Sequence, residues 1–275
     1  MEYWEKVGSE LIHKTPDKME KLFNKVGKEK FKDYKAHHRL GYVFADNDEL
    51  LLSFFKNKNE VNLLEIGSFV GQGSKFLLKI FEAKGFKPTL DSIDLMLPYL
   101  EEGSKVDYGS QAYHLLKNTE IERKEHKLIL HAGRSRDVLP TLNKKFDFAY
   151  IDGEHTPGGV YLDLVMTLAK SKKKTVLLVD DMTWYDLKSV GSGVQQFMKN
   201  YHDYIQTIYA HGEKDKVFGF HKIEDLNEMK MDQIMFIVKK GCKKTLDDIL
   251  HEVSKHKLHL NKVMNAGRRR TKKIR

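Results

Sequence analysis

At 275 residues the chain is long enough for one large α/β domain with extensions or for two small domains. Apolar residues make up 40%, enough for a core, yet no apolar run approaches the roughly 18 residues of a membrane-spanning helix. Cys242 is the only cysteine, which excludes an intramolecular disulfide and a cysteine-rich zinc site, and Met1–Lys6 carries acidic residues without an apolar signal region. A cytoplasmic protein, with no signal peptide and no membrane partner, is the expectation.

The formal net charge of +9 is unevenly placed. Residues 241–275 hold 11 Lys+Arg against 3 Asp+Glu, whereas residues 1–240 hold 37 against 36. A basic C-terminal arm of this kind makes weak contact with a polyanion, or is simply a solvated end. The pattern divides the chain into a helical N-terminal extension (1–45), an α/β domain (46–240) and a basic tail (241–275). In the extension, Leu22, Phe23, Val26 and Phe31 are scattered apolar positions, and His37 and His38 have no assignable partner. Asn47 is a candidate cap for a helix running to Phe55.

Val61–Ile66 is an apolar run that ends in a glycine-rich turn, and an apolar-periodic segment follows (Phe76, Leu77, Ile80, Phe81). This predicts a strand, a tight loop and a helix, the first βα unit of a doubly wound sheet. The glycines Gly67, Gly71 and Gly73 do not have the GxGxxG spacing of nicotinamide dehydrogenases. A second strand, Thr89–Asp94, ends in a carboxylate 27 residues after Gly67. In doubly wound nucleotide-binding sheets such a residue accepts hydrogen bonds from ribose hydroxyls. Between Leu97 and Lys127 the pattern predicts a loop around Glu101–Ser104 and a helix over Gln111–Asn118.

Leu128–His131 reads as a third strand and runs into Gly133-Arg134-Ser135-Arg136-Asp137-Val138-Leu139-Pro140, where Ser135 or Asp137 is a candidate helix cap. Phe146–Ile151 leads into Asp152-Gly153-Glu154-His155, and Thr175–Val179 into Asp180-Asp181, with an apolar helix between them. Ligands of open α/β sheets bind outside the carboxyl ends of the strands, so Asp152, Asp180 and Asp181 should converge near the glycine loop. Three carboxylates brought together repel unless a cation sits among them, and hard divalent ions such as Mg²⁺ accept such ligands. A helix from Gly191 and two strands, Tyr204–Ala210 and Gln233–Lys239, complete the domain, and Thr245–Leu260 in the tail has a helical pattern.

Glu65-Ile66-Gly67-Ser68-Phe69-Val70-Gly71 resembles motif I of the S-adenosylmethionine-dependent methyltransferases, E/D-x-G-x-x-x-G. The segments Gly133–Pro140, Tyr150–His155 and Val179–Asp181 resemble the metal-dependent O-methyltransferases of the catechol and caffeoyl-CoA kind, with the broader sugar and natural-product group. The resemblance spans about 46–240 and implies a Rossmann-like, seven-stranded, mostly parallel sheet with an antiparallel final strand and helices on both faces. It implies S-adenosylmethionine against Glu65, Gly67, Ser68, Gly71, Gly73, Asp94, Gly133, Ser135, Arg136 and Asp152. It further implies a divalent cation, Mg²⁺, on Asp152, Asp180 and Asp181, with His155 as general base or else as a structural or substrate-orienting histidine. The acceptor so implied is a hydroxyl on a small molecule or sugar. An RNA methyltransferase recruited by the basic tail is the alternative, although no Asp/Asn-Pro-Pro-Tyr/Phe motif is present. Asp180-Asp181 stands where catechol-type enzymes carry Asp-Asn, and Lys170–Lys174 replaces their usual Pro-Gly-Gly turn.

Overall fold

The computed structural model describes residues 54–69, 71–96, 111–182, 190–212, 216–217 and 231–241, together with Asp248 and His251. The expectations for the N-terminal extension, the Asn47 cap, the loop at 101–104 and most of the basic tail lie outside these residues. No helix among those described is long and apolar enough to cross a membrane.

The described chain alternates strand and helix. Its elements are β1 (Glu60–Ile66), α1 (Gln72–Ala83), β2 (Lys87–Asp94), α2 (Gln111–Asn118), α3 (Glu120–Lys124), β3 (Leu128–Ala132), α4 (Ser135–Val138) and β4 (Phe146–Ile151). They continue with α5 (Pro157–Ala169), β5 (Ser171–Val179), α6 (Val190–Tyr201), β6 (Ile205–Gly212), β7 (Lys216–Val217) and β8 (Met231–Val238). The strands form one sheet in the order β3-β2-β1-β4-β5-β8-β6-β7. From β3 to β5 all pairs are parallel, and β8 enters antiparallel between β5 and β6. This is the Rossmann-like sheet expected, with one addition: the two-residue β7 pairs with the end of β6 and makes eight strands of the predicted seven.

Both faces are covered, so the central strands are apolar on alternate residues in both directions. Leu63, Phe148, Leu178 and Met235 face α1, whose Phe76, Leu77, Ile80 and Phe81 form one stripe. Leu64, Ile151, Val179 and Ile234 face the other way, toward Leu164, Val165 and Met166 of α5 and Val194 and Phe197 of α6. Helix α5 starts where Thr156 caps it by accepting a hydrogen bond from Gly159 N at 3.1 Å, with Pro157 in the first turn.

Two boundaries differ from expectation. β5 begins at Ser171, so the lysine run is strand and not turn: the pairing with β4 shifts register between Phe146 and Phe148, and Lys174 takes φ 73°. The lysines can stand there because this edge of the sheet is exposed. Arg134 occupies the cap position of α4 without a side-chain cap bond, which corrects the reading of Ser135 or Asp137 as its cap. Ser135 is the first helical residue instead, and its hydroxyl turns to Asp163 of α5.

Candidate active site

The strand order reverses between β1 and β4, and the crevice belongs at their carboxyl ends. There the two chains nearly touch. Gly67 N donates to Ile93 O and Asp152 N to Ile66 O, each at 2.9 Å. Gly67 has φ 91°, and a Cβ built on it would lie 2.0 Å from Asp152 O. Only glycine satisfies both the dihedral and the approach. Gly71 takes φ 83° at the start of α1, packed against Thr119 and Leu115, and Gly73 lies in the first turn of that helix.

Beneath the loop sits Glu65, almost fully buried in mid-sheet. Its Oε2 accepts from the hydroxyls of Ser74 and Ser92, and Ser68 Oγ is joined to Ser92. Burial pushes its carboxyl up to about 7, because the serine hydrogen bonds only partly offset desolvation and the charges of Asp152 and Asp94 add to it. The structure therefore places Glu65 under the glycine loop. Asp94 is more open, and its carboxylate fixes the loop: Oδ2 accepts from Ser68 N at 2.9 Å and Phe69 N at 3.0 Å, and Oδ1 accepts from Met96 N at 2.7 Å. Any ribose hydroxyl on Asp94 shares the carboxylate with these three donors. Phe69, half-exposed, is held with φ 48°, a conformation a bulky side chain rarely adopts.

Gly133, with φ 147°, extends the pairing of β2 and β3 by donating to Asp94 O at 2.9 Å. Arg136 is half-buried, its Nε 3.9 Å from Asp137. Ser135 bonds to Asp163, whose carboxyl burial raises to about 6 despite that hydrogen bond.

The acidic residues separate into two sets. Consecutive residues leaving a strand point to opposite faces. Asp180 points inward on the α1 face, where its Oδ2 accepts from the buried Tyr150 hydroxyl and its Oδ1 from Asp181 N at 2.8 Å. The same hydroxyl lies 3.2 Å from Asp152 Oδ2, so Tyr150 spans the ends of β4 and β5. Burial and the charges of Asp152 and Asp180 hold the phenol well above its ordinary pKa, so it remains a donor. Asp181, with φ 54°, turns off the strand and brings Oδ2 to 3.5 Å from His155 Nε2, while Asp152 Oδ1 lies 3.6 Å from the same atom. Asp152, His155 and Asp181 each offer one ligand atom within 4.8 Å of the others. Of the expected ligands the structure thus joins Asp152 and Asp181 with His155, and keeps Asp180 beside them as a partner of Tyr150.

Ser74, Ser92, Tyr150 and Asp163 carry much of this site and were not singled out by the sequence. The one signal for Ser92 and Tyr150 is a hydroxyl in an otherwise apolar buried strand.

Residues 64–182, less than half of the chain, match the sequence profile of a family described as a methyltransferase domain. No curated protein sequence matches the chain. Among solved structures it is similar to the O-methyltransferase TomG of Streptomyces achromogenes, involved in tomaymycin synthesis, at 21% identity and TM-score 0.46, over 72% of this chain and 81% of that one. It is similar to an O-methyltransferase of Bacillus cereus at 16% and 0.46, over 70% and 80%. An rRNA methylase of Streptococcus thermophilus stands at 10% and 0.46, over 72% and 96%. The match to a methyltransferase domain runs from within β1 to just past β5, the strands whose carboxyl ends form the crevice.

Proposed function

We propose that the protein methylates a hydroxyl of a small molecule or sugar with the help of a divalent cation, Mg²⁺ being the simplest choice. The observation that carries this reading is the meeting of Asp152, His155 and Asp181 at the switch point of the sheet. Two carboxylate oxygens fit a hard divalent ion, which would offset the like charges gathered at the ends of β4 and β5. Asp152 and Asp181 would hold the ion, which supplies charge that lowers the pKa of a bound hydroxyl. Tyr150 holds Asp152 and Asp180 in place through one phenol.

The cofactor fits the cradle whose depth Gly67 sets, with Glu65 and Asp94 beneath and beside it; it supplies the sulfonium methyl. Gly71, Gly73 and Ser68 shape the loop, and Gly133, Ser135 and Arg136 flank the next strand end. His155 takes the acceptor's proton. Its Nε2 lies 3.6 Å from Asp152 Oδ1 and 3.5 Å from Asp181 Oδ2, so the two carboxylates orient the ring toward the crevice.

That same contact favours a second reading in which His155, activated by Asp152 and Asp181, works without metal. Turnover measured with EDTA and then with restored Mg²⁺ separates the two. Loss and recovery are expected, and full activity in EDTA would leave the histidine mechanism alone. A nucleic-acid acceptor recruited by the basic tail is the remaining alternative. RNA binding with a steep salt dependence, lost when residues 241–275 are removed, would select it.

A further inference from the structure

We propose that Gln233 of β8 is the residue that recognises the acceptor, and that it selects a neutral molecule carrying a second hydroxyl beside the reacting one. The inference rests on the O-methyltransferase reading above.

Gln233 is fully buried, and among the described residues neither its Nε2 nor its Oε1 has a hydrogen-bond partner. An unmade hydrogen bond in the interior costs more than a made one contributes, and native proteins rarely leave both ends of an amide empty. A leucine would occupy the same volume without that penalty. The carboxamide is therefore explained by a partner that arrives from outside the chain.

Its position says which partner. Val179 pairs with Ile234, so the next antiparallel step sets Gln233 opposite Asp180. Met235 lies on the α1 face with Leu178 and Tyr150, whereas Ile234 and Phe236 lie on the other. Side chains two apart on a strand share a face. Gln233 thus faces the side on which Asp180 bonds Tyr150, one strand spacing away, about 5 Å. Across the sheet the residues at this level run Asp94, Gly67, Asp152, Asp180, Gln233, as the pairings and the continuing backbone bonds require. The cofactor residues occupy one end of this row, the carboxylates its middle and the amide its far end. From Gly67 to Gln233 is three strand spacings, about 14 Å. That length suits a transferable methyl followed by a small acceptor.

The chemistry narrows the class. A carboxamide offers two donors and an acceptor without charge. It pairs with a hydroxyl, which both donates and accepts, and gains no charge attraction from an acid or an amine. The remaining fit is a polyhydroxylated neutral compound with one hydroxyl at the acidic cluster and another at Gln233.

The test uses the full-length protein and the variants Gln233→Leu and Gln233→Met, with catechol and methyl α-glucoside as acceptor probes in Mg²⁺. Both variants are expected to melt higher than wild type by about 2–5 °C, because an unsatisfied amide leaves the interior. Binding of S-adenosylhomocysteine, measured calorimetrically, should stay within twofold, while kcat/KM for the accepted probe falls at least tenfold, mostly through KM. A lower melting temperature would show that the amide is already partnered within the folded chain and would overturn the proposal. So would unchanged kcat/KM. If wild type binds S-adenosylhomocysteine but methylates neither probe, the acceptor class is wrong while the methyltransferase reading stands. If it does not bind the cofactor product at all, that reading fails and takes this one with it.

Discussion

Asp147 and Asp91 are as deeply buried as Glu65 and Asp180, yet the two groups are held by different chemistry. Asp147, at the amino-terminal edge of the sheet, is gripped by Lys58, by Lys172 at 2.8 Å and by Asn62 N at 2.9 Å. Asp91, on β2, lies between His131 of β3 at 2.7 Å and Lys144. At the carboxyl edge the partners of Glu65, Asp152 and Asp180 include serine and tyrosine hydroxyls, a backbone N–H and one imidazole. Asp147 and Asp91 each meet basic groups, and the result is a fastener. At the site, like charges are crowded, and the buried Glu65 is held by serine hydroxyls that only partly offset its desolvation. The opposite signs of the pKa shifts of Asp147 and Glu65 express that difference.

The largest effect that would break this comparison is at Asp152. Asp152→Asn should lower turnover by about 10³-fold, roughly 4 kcal/mol of barrier, while leaving the melting temperature unchanged or raised. Removing one of several crowded charges relieves the folded state even as it disarms the site. A variant that unfolds readily but keeps its activity would show that Asp152 is a fastener after all.

Glu65 tests the same contrast through pH. Its carboxyl is raised from 4.5 to about 7, so the unfolded chain releases the proton first as pH rises. The folded state keeps its full stability below pH 4.5 and loses about 3 kcal/mol of it as pH climbs through 7. Glu65→Gln, which cannot ionise, should flatten that slope in urea titrations between pH 5 and pH 8. An unchanged slope would mean that the buried acid is ionised throughout.

How much of this the sequence disclosed depends on how local each signal is. β1, its loop and α1 were legible because an apolar run, a glycine turn and a helical stripe adjoin. Thr156-Pro157 likewise marks the start of α5 within two residues. The serines around Glu65 were not legible. Ser92 reaches Glu65 through the parallel register of β1 and β2, and Tyr150 stands opposite Glu65 on β4, relations that only the sheet creates. Asp180 and Asp181, expected together as ligands, leave the strand in different directions, as neighbours on a strand do. The left-handed turn at Asp181 then decides which of the two meets Asp152 and His155, and nothing in Val-Asp-Asp-Met announces it. At the other edge, the lysine run hid the first turns of β5 because exposed lysines resemble a loop, and only the pairing of Ser171 with Phe146 shows a strand.

Asp147 gives the smallest and most discriminating effect. Burial alone would raise its carboxyl, but hydrogen bonds from Lys172 and Lys58 outweigh that and hold it below the ordinary value. Its stabilising contribution is therefore complete above about pH 4 and disappears as pH falls through the lowered pKa, opposite in sign to that of Glu65. Asp147→Asn keeps an oxygen for Asn62 N but abandons two ammonium groups. A fully buried pair broken in this way costs about 3–5 kcal/mol. Here the lysine side chains are 30% and 42% exposed, so the freed charges reach water and the loss should be nearer 1–2 kcal/mol. Cofactor affinity should not change, since Asp147 begins β4 while the crevice lies beyond its end. Urea denaturation at pH 7 and at pH 3.5 measures the first claim, with the gap between variant and wild type narrowing at the lower pH. Calorimetric titration with S-adenosylhomocysteine measures the second. If the substitution weakens cofactor binding tenfold at unchanged stability, the lysine-clamped carboxylate is coupled to the site, and the division of labour between the two edges does not hold.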